Sequence, residues 1–156
     1  MKKDMQEHDY TFDTVEAIVK FQRFIYLQKI AIIKKGITKN QLDQFKNVTG
    51  LHYSVIAKLM NITERYLHKK KGHDRFRPQM SDAIIALIDL YGYGYDHFND
   101  PPTFNQWIKT GCPEKKYVPP LTYCDTIPGK EEVKREIFRI AHKEPTLYQW
   151  VKAGEA

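Results

Sequence analysis

Apolar residues recur at helical spacing in successive segments, and the punctuation between them predicts where each helix starts and stops. The stretch "TFDTVEAIVKFQRFIYLQKIAIIKKG", residues 11–36, predicts one long helix with Val15, Ile18, Val19, Ile25, Ile32 and Ile33 among its apolar positions and Gly36 as its stop. Phe21, Phe24, Tyr26 and Leu27 widen the stripe beyond one face. Such a helix is either central to the core or partly a dimer contact. Next, Thr38 and Gln41 stand at capping-box spacing, with Ile37 and Leu42 at the spacing of a hydrophobic staple. That helix should end near Asn47, leaving Gly50 free for the left-handed backbone.

The segment "SVIAKLMNITERYLHKKK", residues 54–71, predicts two short helices joined by a tight turn. Ile56, Leu59 and Met60 form the apolar side of the first. Asn61 tolerates positive φ at the turn, and Thr63 caps the second, with Ile62 and Leu67 as its staple. Ala57 is small where the helices must cross, as a helix-turn-helix requires. At 100° per residue, Arg65 and Lys69 fall almost opposite Leu67, flanked by Tyr66 and His68. Lys70, Lys71, Arg75 and Arg77 follow, so the exposed face and its exit loop form one cationic strip. The plainer alternative is a solvated helix face.

Further on, Ser81 is a possible cap for a core helix carrying Ala83, Ile84, Leu87 and Leu90, with Gly92 and Gly94 loosening its end. A short helix surrounds Trp107. The segment after it, rich in Pro and Gly over 111–129, is too long for an ordinary connector. A closing helix, "KEEVKREIFRIAHK", places Val133, Ile137, Ile140 and Ala141 inward, and Pro145 ends it. The expected fold is all-α, in two closely packed parts: residues 1–77 with the helix-turn-helix, and residues 78–156 as a smaller helical unit.

Charge separates the same two parts. Residues 1–77 hold 16 lysines and arginines against 8 acids, a charge of +8, whereas residues 78–156 hold 9 against 11, a charge of −2. A basic half suits a polyanion, and a near-neutral half rich in aromatics and proline suits a protein surface. No apolar run is long enough for a membrane span and the first residues do not read as a signal peptide, so a cytoplasmic protein is expected. Cys112 and Cys124 are expected to be reduced thiols. No nucleotide-binding glycine motif, zinc-binding helix motif or paired C-x-x-C is present, and the six histidines are scattered. Neither an enzyme, a cofactor nor a metal site is expected.

The order of these pieces resembles the Xre/MbcA/ParS-type antitoxins, from about Gly36 to His142. The resemblance is carried by "KKGIT", "TGLHYSVIAKLMNITERYLHKK", "MSDAIIALIDL", "HFNDPPTFNQWI" and "PPLTYCDTIPGKEEV". Asn61 stands for the family's usual turn glycine, His52 for a capping serine and Ile108 for leucine, and the ending after His142 also departs from the family. The resemblance implies an antitoxin of a type II pair. Its partner would be a RES-domain toxin that consumes NAD, and it would block the toxin's active site and bind its own promoter; a homodimer is expected separately, from the broad apolar surface of the first helix and from operators read as paired half-sites. On this reading Thr63, Arg65, Tyr66, His68, Lys69 and Lys70 face operator DNA. Arg139, His142 and Lys143 supply toxin contacts, the plainer alternative being that they only complement the dipole at the end of the closing helix, and Trp107, Pro120, Leu121, Thr126 and Gly129 brace the toxin-binding unit. A stand-alone transcriptional regulator is the alternative, and an adaptor with a merely solvated basic face is a third.

Overall fold

The computed structural model describes residues 8–111 and 118–142. The protein is all-α. Helices α1 (Val15–Gln22), α2 (Tyr26–Lys35), α3 (Lys39–Thr49), α4 (Tyr53–Met60) and α5 (Glu64–Lys69) precede the long helix α6 (Pro78–Phe98). Helix α7 (Pro101–Thr110), a 3-10 turn at Pro120–Tyr123 and α8 (Ile127–Ala141) follow. Among the described residues the one extended pairing outside the helices is an isolated bridge between Thr38 and Arg75. No described helix is long and apolar enough to cross a membrane.

The long helix expected over 11–36 is instead two helices, α1 and α2. The chain breaks at Arg23–Ile25, where Phe24 joins an edge-to-face cluster with Tyr10 and Phe21 at ring distances of 5.1 and 5.5 Å. Each broken end finds partners. The Lys29 ammonium donates to the Gln22 carbonyl at 2.8 Å, and the Ile25 amide donates to the Gln28 side-chain oxygen at 3.2 Å. Composition alone reveals an apolar surplus here but not the aromatic partner that bends the chain.

Capping chemistry places the next elements where the sequence puts them. Thr38 Oγ1 accepts from the Gln41 amide at 3.1 Å, while Gln41 Oε1 accepts from the Thr38 amide at 2.8 Å. Ile37 and Leu42 are both fully buried beside this reciprocal cap. Helix α3 runs two residues past Asn47, and Gly50 takes the left-handed conformation at φ 71°.

Helix α6 begins before Ser81. Pro78 occupies its first turn, where the missing N–H costs nothing, and Arg77 is its cap residue. Ser81 is buried inside the helix, accepting from the Ile37 amide at 2.9 Å and donating to the Phe76 carbonyl at 3.2 Å. Gly92 and Gly94 do not loosen the helix, which continues to Phe98. They are its crossing points. A Cβ on Gly92 would lie 2.6 Å from Gln22 Cβ and 2.7 Å from the Ile18 carbonyl oxygen, and one on Gly94 would overlap the Phe104 ring. Two residues apart on a helix, they face nearly opposite sides, admitting α1 on one and α7 on the other.

Helix α6 also packs against α2, α4 and α8, so one buried cluster runs from Phe12 and Phe21 through Phe45, Ile56 and Tyr91 to Val133 and Ile137. Helix α8 starts three residues before Lys130, at Ile127, and its last helical residue is Ala141, short of Pro145. Cys112, Lys143 and the tail after it lie outside the described residues.

Gly94→Ala tests the crossing. Alanine is the better helix former by about 1 kcal/mol, yet overpacking against Phe104 should cost about 1–3 kcal/mol net. A thermal melt should show Tm lower by several degrees; an unchanged or higher Tm would mean that the glycine is not needed for the approach.

Candidate functional site

Two surfaces carry the residues singled out in the sequence. On the first, α4 and α5 meet at a turn where Asn61 adopts φ 56° and the Ile62 amide donates to the Ala57 carbonyl at 3.0 Å. Thr63 caps α5, its Oγ1 accepting from the Tyr66 amide at 3.1 Å. Leu67, 1% exposed, fixes the rotation of this short helix. Arg65 and Lys69 therefore project together into solvent, and neither forms an ion pair with a described residue.

The neighbours of this pair have different surroundings. His68 is exposed, with Nε2 3.3 Å from the Glu64 carboxylate and its ring 5.0 Å from that of Tyr53. Tyr66 is half-buried under the Lys70 ammonium, 5.3 Å from the ring centroid. Lys70 itself donates to the Arg75 carbonyl at 3.1 Å, which makes it a brace for the exit loop. Arg75, part of the strip in sequence, is engaged by Asp9 at 3.0 Å and by the Gly36 carbonyl at 2.8 Å. Burial alone would raise the Asp9 carboxyl. Hydrogen bonds from Arg75 and Lys35, with their charges, outweigh it and hold the group below the usual carboxylate range.

The folded chain adds a cluster that sequence spacing does not show. Lys39 and Lys46 from α3 each hold an ammonium 4.9 Å from the Tyr53 ring centroid, and the Tyr53 hydroxyl donates to Asp43. Burial, then the Asp43 hydrogen bond, pushes the Tyr53 phenol well up, so it remains a neutral donor. Lysines seven residues apart in α3 reach one ring only because α4 starts beside them.

The second surface is built on α8. Thr126 caps it, accepting from the Gly129 amide at 3.0 Å, and Gly129 sits so close to the Tyr123 carbonyl that no Cβ would fit. Pro120 and Leu121 are buried, and Trp107 packs on Phe98 and Phe104 at 5.4 and 6.0 Å. Burial raises the Cys124 thiol to about 12, so it is an inert core group. Arg139 is not free: it pairs with Glu132 at 3.7 Å and with the fully buried Glu136 at 3.1 Å. His142 is exposed, its Nδ1 donating to the Phe138 carbonyl at 2.8 Å. Tyr93, Lys134, Arg135 and Phe138 line an open cleft beside Arg139.

One carboxylate joins the two regions. Asp89 on α6 accepts from Lys29 of α2 at 2.5 Å and from Lys134 of α8 at 3.0 Å, with all three side chains largely shielded. Helix α2 is otherwise loosely covered. None of its residues is buried, and Tyr26 and Leu27 are 81% and 74% exposed beside exposed Ile25 and Ile30.

No protein-family model matches the chain. It is 23% identical over 124 residues, 73% of this chain and 78% of the relative, to a protein of Sphingobium sp. (strain YBL2) named Prs ADP-ribosylating antitoxin.

Proposed function

We propose that the protein is the antitoxin of a type II pair, that it neutralises a RES-domain toxin by covering its active site, and that it binds its own promoter. The likeness to the Sphingobium antitoxin over most of both chains carries this reading. That relative's name joins the antitoxin role to ADP-ribosylation, a chemistry that draws on NAD, as the expected toxin does. No catalysis by this chain and no cofactor enter the proposal, and the cytoplasm is its proposed location.

Within it, residues 1–77 contact DNA. Arg65 and Lys69 supply base or phosphate contacts because they are exposed cations on the second helix of the α4–α5 pair that form no ion pair with a described residue. Residues 78–156 hold the toxin through the C-terminal end of α8, where His142 is exposed and Arg139 is oriented by two glutamates. The uncovered apolar face of α2 supports a homodimer, the form in which paired half-sites are read.

Three measurements test the parts separately. In a mobility-shift assay on the upstream DNA, the Arg65→Ala, Lys69→Ala double variant should bind more weakly and with a shallower salt dependence; parental binding across salt concentrations would remove the DNA assignment. Leu27→Asp should convert a dimer to a monomer by light scattering, and a parent already monomeric at high micromolar concentration would end the dimer proposal. For neutralisation, cells expressing the toxin should lose growth rescue when the antitoxin carries His142→Glu or ends at His142, with circular dichroism confirming the fold. Full rescue by both would place the toxin contact elsewhere. A parent protein that binds DNA but rescues nothing would favour the stand-alone regulator.

A further inference from the structure

The C-terminal ends of α6 and α8 lie side by side, and each carries a histidine held in the same way. His97 Nδ1 is 2.9 Å from the Tyr93 carbonyl, four residues back on α6. His142 Nδ1 is 2.8 Å from the Phe138 carbonyl, four residues back on α8. A carbonyl only accepts, so in both neutral rings the proton sits on Nδ1 and the lone pair on Nε2. Each imidazole is also braced by a neighbouring ring: Tyr93 is 4.0 Å from His97 at 30°, and Phe138 is 3.9 Å from His142 at 23°. The two imidazoles are 6.3 Å apart between centroids.

We propose that His97 and His142 form a two-histidine site for a divalent transition-metal ion, such as Zn²⁺ or Ni²⁺, bridging the ends of α6 and α8. Metal-bound histidines characteristically donate the second ring nitrogen to a carbonyl or carboxylate, and both rings already do so. With metal–nitrogen bonds of about 2.1 Å, a tetrahedral pair would bring the centroids to about 5 Å. Closing by about 1 Å lies within side-chain rotation, because His142 caps its helix and is exposed. The nearby cations do not forbid it: Lys134 is matched by Asp89, and Arg139 by Glu132 and Glu136. No group of three or more His, Cys, Asp or Glu residues among the described residues could hold an ion, so water fills the remaining positions. An ion held here ties the end of α8 to the end of α6.

Calorimetric titration of the full-length chain, without an affinity tag, with zinc chloride and separately with nickel chloride tests this. The parent should bind one ion per chain and take up no magnesium under the same conditions. His97→Gln and His142→Gln should each lose that binding while retaining the parental circular dichroism, and His52→Gln, at an exposed position remote in sequence, should keep it. In parallel, imidazole NMR signals of the parent should shift for His97 and His142 on adding Zn²⁺. Absence of binding by the folded parent, undiminished binding by both glutamine variants, or shifts confined to other histidines would each overturn the proposal.

Discussion

The approach of α1 and α7 to α6 at Gly92 and Gly94 is the constraint on which the rest of the molecule depends. Glycine inside a helix is unfavourable by about 1 kcal/mol relative to alanine. Here that cost is offset by packing that a methyl group would prevent. With α1 seated at Gly92, Phe21 and Ile18 are fully buried, and with α7 seated at Gly94, Phe104 reaches Tyr91, Tyr95, Phe98 and Trp107. Helix α6 becomes a spine shared by the basic helices and the closing helix.

Electrostatic ties lie over that spine. Arg23 meets Asp96 at 2.6 Å, and Asp89 holds Lys29 and Lys134 together. Exposed pairs of this kind contribute little singly, but Asp89 is largely shielded, where pairing matters more. Its place is informative: α2 carries the uncovered apolar face, and α8 carries the end proposed to meet a toxin. Both rest on one α6 carboxylate.

The proposed division of labour follows from which cations are already engaged. Arg75, Lys70 and Arg139 each satisfy a partner within the fold, whereas Arg65 and Lys69 pair with no described residue. A continuous basic strip in the sequence thus becomes a projecting pair with a braced loop behind it. Tyr53 with Lys39 and Lys46 adds positive charge next to α4, on the same half of the chain.

The sequence by itself determined the all-α class, the reciprocal cap at Thr38 and Gln41, the left-handed Asn61, the Thr63 cap and the outward face of Arg65 and Lys69. These depend on neighbours within about one helical turn, and local spacing encodes such contacts directly. Only the tertiary structure decided the break between α1 and α2, the burial of Ser81 within α6, and the use of Gly92 and Gly94 as crossing points. It also decided which charges are engaged and brought His97 beside His142. Those outcomes depend on residues far apart in the chain: Phe24 bends toward Tyr10, Ser81 answers Ile37, Asp9 takes Arg75, and Asp89 collects Lys29 and Lys134. A helical period gives the face on which a residue lies, but the partner on that face is set by how the helices cross.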